Sequence, residues 1–115
     1  MNRSKVIVHM YVSIDGKNDG DYSRAASSSY YNDELFKLSN ADANGRMTIQ
    51  MYATLGEVDL MPYSGQGIKY EDWIPNNLNE KYWSISFDRK GKCNWQSQYF
   101  PYAGRNMRAI EVVTE

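Results

Sequence analysis

The stretch KVIVHMYV at residues 5–12 limits the folds open to this chain more than any other part of its sequence. Apolar side chains occupy nearly every position, whereas a strand with one face in water alternates apolar and polar residues. The pattern therefore predicts a strand covered on both faces, as at the centre of a parallel sheet. His9 lies inside this run, and we interpret it as a core histidine because no second metal-ligating residue is spaced to join it.

Helical and strand patterns alternate along the rest of the chain. Residues 29–41 carry apolar side chains at helical spacing, and Thr48 is expected to cap a second, shorter helix. Residues 81–87 alternate as a strand does, DRKG at 88–91 predicts a turn, and 108–115 predict a further strand. This order of elements predicts an α/β fold with a layered sheet.

Length, charge and cysteine content exclude several classes of protein. A chain of 115 residues is expected to form a single domain, and 13 basic against 14 acidic side chains argue against a nucleic-acid surface. Its apolar runs are too short for a membrane span or a signal peptide. Cys93 is the only cysteine, which excludes an intrachain disulfide and a zinc cluster built from cysteines. We expect a cytoplasmic protein without a metal site.

The motif SIDGK at residues 13–17 follows the predicted central strand. In open α/β sheets, ligands bind just beyond the carboxyl ends of the strands. Ser13 offers a hydroxyl group, Asp15 offers hydrogen-bond acceptors, and Gly16 lets the backbone turn close to a ligand. The alternative is an ordinary turn with Asp-Gly chemistry.

A second motif, NGRMT at residues 44–48, combines groups that suit a phosphate. Gly45 and the following backbone would present free N–H groups at the start of a helix, Arg46 a bidentate guanidinium group, and Thr48 a hydroxyl group. The alternative is a solvent-exposed arginine beside a helix cap.

The third motif, FDRKGK at residues 87–92, lies at the end of the next predicted strand. Arg89, Lys90 and Lys92 surround a tight turn and could hold a second phosphate, such as a 2′-phosphate on adenosine. The alternative is a solvated basic turn. All three motifs lie at or just after the carboxyl end of a predicted strand, which is where a dinucleotide would lie across a sheet.

The run VIVHMYVSIDGK, a helix, DANGRMT and a strand ending in DRKGK together resemble the dihydrofolate-reductase-like fold. The resemblance is closer to the pyrimidine reductase domain of riboflavin biosynthesis. It implies a layered α/β sheet with flanking helices and NADPH-dependent hydride transfer to an aminouracil ribosyl phosphate or a similar small molecule. Family domains continue into a Gly-rich pyrophosphate turn that residues 1–115 lack, so we expect a truncated, N-terminal half of such a domain.

The resemblance also implies roles for individual residues. The backbone of Tyr11 and Val12 would meet the nicotinamide, and Ser13 and Asp15 would line the substrate side, with Asp15 as the catalytic candidate. Arg89 stands where the family usually has a small hydroxyl residue, which favours NADPH over NADH. Backbone at Val113 and Thr114 would border the cofactor. The cofactor-binding residues implied in this way are Val12, Gly45, Arg46, Thr48, Arg89 and Thr114.

Two other functions remain open on the sequence. The missing Gly-rich turn favours a non-catalytic binding module of the same fold. Interleaved aromatic and basic residues at 81–108 would suit single-stranded nucleic acid, although the net charge of −1 argues against it. A chain that ends on a strand leaves an exposed sheet edge, so we also predict a homodimer formed by β-edge pairing.

Overall fold

The computed structural model of the chain describes residues 2–18, 20, 29–65, 72, 74–76 and 79–114. Its contacts divide into two compact units, Met1–Asn40 and Ala41–Glu115, called here the N-terminal unit and the sheet unit. Across the described residues, no helix has the length and apolar character needed to cross a bilayer.

The prediction of a strand at residues 5–12 is wrong. Among the described residues this segment joins no β-ladder, and the side chains of Val6 and Val8 are 86% and 85% exposed. His9 is half-buried; its Nε2 lies 3.0 Å from the carbonyl oxygen of Tyr31, and the two rings stack 4.4 Å apart. An apolar run indicates that its side chains favour burial, whereas a strand also needs hydrogen-bond partners for its backbone N–H and C=O groups.

The N-terminal unit contains the first predicted helix, α1, which spans Ser29–Leu38. It ends close to the predicted boundary, with the amide of Ser39 bonded to the carbonyl oxygen of Leu35 at 3.1 Å. Lys37 lies in its last turn, where the helix dipole favours a cation, and forms a 2.8 Å salt bridge with Glu34.

The sheet unit confirms the predicted α/β class with a mixed, four-stranded sheet. Its strands are β1 (Ala41–Gly45), β2 (Trp83–Phe87), β3 (Tyr99–Tyr102) and β4 (Arg105–Val112), in the order β1-β2-β4-β3. Strands β1, β2 and β4 run parallel, and β3 pairs antiparallel with β4. Helix α2 (Arg46–Tyr52) follows β1 without an intervening loop.

Strand β3 has no counterpart in the sequence prediction. It contains Pro101, which cannot donate to a ladder and is therefore tolerated on an edge strand such as this one. The two residues that join β3 to β4, Ala103 and Gly104, both have positive φ angles, of 48° and 75°. Two such residues form the type I′ turn that matches the twist of a two-residue hairpin.

The strand predicted at residues 108–115 exists as β4, but it begins and ends three residues earlier. It lies between β2 and β3, so both of its sides are paired, and the edges of the sheet are β1 and β3. The prediction of β-edge pairing assumed that the last strand leaves an exposed sheet edge, and that assumption is wrong. The homodimer stays a prediction.

The alternation predicted for β2 is present, but its small polar face is the buried one. Ser84 and Ser86 are 1% and 0% exposed, whereas Phe87 on the opposite face is 56% exposed. Burial of Ser84 is compensated by a 2.5 Å hydrogen bond that its hydroxyl group donates to Asp42 on β1. The buried apolar side chains of the described residues are Ile49, Cys93, Phe100 and Met107.

Candidate anion-binding site

The carboxyl ends of β1 and β2 lie side by side. Gly45 and Phe87 are the last pair of residues in the parallel register of these strands. The next residues in the two segments, Arg46 and Asp88, therefore leave the sheet next to each other. This is the arrangement that the second and third sequence motifs predicted.

A cleft of about 250 Å³ lies at this edge of the sheet and is called here the basic cleft. Its volume is below the roughly 300–1,000 Å³ of sites for drug-sized ligands, so it suits one or two phosphate groups rather than a whole dinucleotide. The residues that line it are Arg46, Asp88, Arg89, Lys90 and Lys92.

The basic turn at residues 88–91 is tied to the end of β4. The amide of Gly91, at a φ of +64°, bonds to the carbonyl oxygen of Asp88 at 3.0 Å and closes the turn. Asp88 donates its own amide to Val112 at 3.0 Å, and the amide of Thr114 bonds to the carbonyl oxygen of Arg89 at 3.1 Å. Thr114 is thus beside the turn, and its role at the cofactor, which the resemblance implies, stays a prediction.

Glu57 pairs with two of the cleft's cations. Its Oε1 lies 2.6 Å from Nη1 of Arg46, and its Oε2 lies 3.4 Å from Nζ of Lys92. The hydrogen bond from Arg46 and the charge of Lys92 hold the pKa of Glu57 below its ordinary value. Among the described residues, neither Arg89 nor Lys90 forms a salt bridge, and both are exposed. The cleft therefore presents unsatisfied positive charge to an anion.

Thr48 does not cap α2, which corrects the sequence prediction. The helix begins at Arg46, with Gly45 in the cap position and no side-chain capping bond. Thr48 is the third residue of the helix and is exposed, and it does not line the basic cleft. Gly45 ends β1 and has open space where a Cβ atom would lie.

The SIDGK motif forms a self-contained turn in the N-terminal unit. Ser13 donates its amide to Lys17 O at 2.8 Å and its hydroxyl group to Asp15, and Gly16 (φ +83°) donates to Ser13 O at 2.9 Å. Lys17 lies 3.2 Å from the second carboxylate oxygen of Asp15. This is the Asp-Gly turn kept as the alternative interpretation. Because 5–12 is no strand, the turn, like Tyr11 and Val12, follows no sheet element.

The hydrogen bond from Ser13 and then that from Lys17 hold the pKa of Asp15 below its ordinary value. Asp15 is therefore an ionised acceptor near neutral pH. Such a group can hold a donor atom of a ligand but has no proton to give.

Three titratable side chains meet next to the basic cleft, two of them buried and one exposed, and the sequence analysis did not bring them together. One potential ligand atom from each of Asp88, Cys93 and Glu111 lies within 4.8 Å of the other two. Oxygen and sulfur donors of these types also occur in divalent-cation sites. The cluster was missed because residues 88 and 111 are distant in sequence, and only the pairing of Ser86 with Glu111 in the β2–β4 register places them together.

The pKa values of this cluster move in opposite directions. Glu111 is exposed at residue level, but partial desolvation of its carboxyl group raises its pKa to about 7, and the neighbouring Asp88 carboxylate acts in the same direction. Burial alone would raise the pKa of Asp88, but the neighbouring Glu111 carboxyl group and the hydrogen bond from the backbone of Cys93 outweigh it and lower that pKa. Burial, with the Asp88 charge, raises the pKa of the Cys93 thiol to about 11.

A broad, open groove of about 820 Å³ adjoins the basic cleft, and Lys92 and Glu57 are among the residues that line it. Val58, Leu60 and Met61 give it an apolar lining. It shares Lys92 with the basic cleft, so a ligand with a phosphate group and an apolar ring could contact both.

Scans of the chain against protein-family models, curated proteins and solved structures find no match.

Proposed function

We propose that the sheet unit binds the phosphate groups of NADPH at the basic cleft, and that the protein is an NADPH-dependent reductase with a dihydrofolate-reductase-like fold. The observation that carries this proposal is the meeting of Arg46 with Arg89, Lys90 and Lys92 at the carboxyl ends of parallel strands. Open α/β sheets bind their ligands at this position.

The residues present fit the phosphate portion of such a cofactor. Guanidinium groups bind phosphate oxygens in bidentate geometry, and the cleft contributes two of them together with two ammonium groups. The uncommitted charge of Arg89 suits a 2′-phosphate, which NADH lacks. The apolar groove next to Lys92 would take the adenosine ring.

The substrate class follows from the resemblance of the sequence to pyrimidine reductases of riboflavin biosynthesis, and is an aminouracil ribosyl phosphate or a similar small molecule. When bound, NADPH supplies the hydride. Ser13 and Asp15 would hold polar groups of the substrate, with Asp15 accepting a hydrogen bond as an ionised carboxylate.

The test is a titration of the full chain with NADPH, followed by tryptophan fluorescence, with NADH as the comparison ligand. We expect saturable binding that favours NADPH. Arg46→Ala should weaken the binding of both cofactors by about tenfold or more, because a charged hydrogen bond is worth roughly 1.5–3 kcal/mol. Arg89→Ala should remove the preference for NADPH.

Lys81→Ala is the matched control, because it removes a cation just before the amino end of β2. The basic cleft lies at the other, carboxyl end of that strand. Its binding of NADPH should equal that of the unmodified chain. A folded chain without saturable binding, or equal losses in the Lys81 and Arg46 variants, would contradict the proposal.

The second candidate function is a non-catalytic binding module of the same fold. It is favoured by the exposure of the Ser13–Asp15 turn, whose polar groups bond to one another. Loss of NADPH absorbance in the presence of an aminouracil ribosyl phosphate separates the two candidates. Saturable NADPH binding without turnover of any offered substrate would favour the module.

A further inference from the structure

We propose that Asp88 and Glu111 hold one proton between them and that this shared proton positions the basic turn of the cleft, so that Glu111 is a positioning residue for anion binding. The inference deepens the proposed function and rests on the same basic cleft. It does not depend on which anion the cleft binds.

Asp88 is the side chain that shapes the turn. It is 0% exposed, and its Oδ2 accepts a 2.6 Å hydrogen bond from the amide of Cys93. Its backbone carbonyl oxygen accepts a hydrogen bond from the amide of Gly91. Asp88 therefore bonds to the turn through both its backbone and its side chain. The Asp88–Cys93 bond closes a loop that contains three of the lining cations, Arg89, Lys90 and Lys92.

The other oxygen of Asp88 can pair with Glu111, because the two carboxyl groups have oxygens within 4.8 Å of each other. Among the described residues, Oδ1 of Asp88 is buried without a conventional hydrogen-bond donor. A buried carboxylate oxygen of this kind needs a donor, since leaving it unpaired costs the desolvation of a charged group. Glu111 supplies that donor when its carboxyl group is protonated.

Three described groups lie next to the Glu111 carboxyl group, and none of them carries a positive charge. They are Asp88 at the end of β2, and Cys93 and Trp95 in the segment that follows the turn. Two carboxyl groups this close cannot both ionise readily, so one keeps its proton. The buried Asp88, held by the amide of Cys93, is the ionised partner, and Glu111 is the protonated one.

Loss of the proton from Glu111 has two consequences for the cleft. It removes the donor that holds Asp88, and it adds a negative charge beneath a site for anions. Both effects weaken anion binding. The affinity of the cleft for an anion should therefore decrease as the pH rises through about 7, even for an anion whose own charge is constant.

The experiment measures sulfate binding to the full chain by calorimetry across this pH range, because the charge of sulfate does not change there. We expect affinity to decrease roughly fivefold from the acidic to the alkaline side, as one close charge in a partly solvated site would produce. In Glu111→Gln the amide can still donate to Asp88, so affinity should be independent of pH and equal to that of the unmodified chain at low pH. A purely structural role would not produce this difference in pH profile.

Carboxyl-carbon NMR of the ligand-free chain gives a second measurement. The Glu111 signal should titrate near pH 7, and in Asp88→Asn it should move toward the ordinary value of 4.5. This variant keeps the inference testable if Glu111→Gln does not fold. Titration of Glu111 near 4.5 in the unmodified chain, a flat sulfate profile, or stoichiometric Zn²⁺ binding abolished by Cys93→Ser would each overturn the inference.

Failure of the inference is distinguishable from failure of the proposed function. A pH-dependent sulfate site in a chain that does not bind NADPH would sustain the inference and contradict the function. Tight NADPH binding together with sulfate binding that does not change with pH would support the function and contradict the inference.

Discussion

Arg46 and Glu57 form the shortest ion pair at the basic cleft, with Nη1 and Oε1 2.6 Å apart. The same carboxylate reaches Lys92 at 3.4 Å, so one acidic side chain neutralises two cations that line the cleft. Glu57 is half-exposed, and exposed pairs contribute only about 0–1 kcal/mol to stability. A multivalent anion can therefore displace Glu57 at small cost.

Glu57→Gln should strengthen anion binding. The substitution frees Arg46 and Lys92 and removes a like charge, so we expect the affinity for NADPH or inorganic sulfate to rise by up to roughly tenfold. Glu34→Gln is the matched control, since Glu34 also forms an ion pair, with Lys37, and lines neither the basic cleft nor the apolar groove. Weaker binding in Glu57→Gln would show that Glu57 orients the cations and does not compete for them.

Cys93 should react slowly with alkylating reagents. Its side chain is 5% exposed, and burial raises the pKa of the thiol to about 11 from an ordinary 9.0. The thiolate is the reactive form, so iodoacetamide should modify the folded chain at least about 100-fold more slowly than the unfolded chain at the same pH. Similar rates in the folded and unfolded chains would contradict the buried environment assigned to Cys93.

The stability of the protein should decrease between about pH 4.5 and pH 7. The native state raises the pKa of Glu111 to about 7 from 4.5, so across this interval it binds more protons than the unfolded chain, and the free energy of unfolding falls as the pH rises. Asp88 acts oppositely below about pH 3.8, because its lowered pKa favours the folded state only while it is ionised.

Urea unfolding at a series of pH values measures this dependence. Glu111→Gln should remove the decrease between pH 4.5 and 7 and leave the loss of stability at low pH in place. An unchanged profile in that variant would mean that other groups cause the decrease.

Met107 should be the most costly methionine to truncate among those described. It is 0% exposed on β4, and Met→Ala substitutions in cores cost roughly 2–5 kcal/mol through lost burial and the cavity left behind. Met51 makes a matched control on α2, because its side chain is 72% exposed and its truncation should change stability by no more than about 0.5 kcal/mol. Equal effects of the two substitutions would contradict the placement of Met107 in the core.

Local patterns predicted the elements that depend on their own residues. Helix α1, strand β2 and the turn after it were found in the sequence because spacing and turn chemistry act over a few positions. The grouping of Arg46 with Arg89 was also expected, since both motifs were placed at the carboxyl ends of strands, although the predicted order of elements had no strand at β1.

The prediction of a strand at residues 5–12 failed because a strand does not depend on its own residues alone. Its apolar side chains favour burial, but whether such a segment pairs depends on backbone partners elsewhere in the chain. Strand β3 was missed because Pro101 disfavours a strand in local terms, and its edge position and the I′ turn at Ala103–Gly104 make the proline acceptable.

The sequence by itself determined the residue chemistry of the cleft: the basic turn after β2, the arginine after β1 and the single cysteine. Only the tertiary structure decided which carboxylates join them. Glu57 neutralises two of the cations, and Glu111 meets the buried Asp88 because the parallel register of β2 and β4 pairs it with Ser86. Charge is a property of each residue, whereas the pKa values and pairings that control it depend on burial and on distances across the sheet.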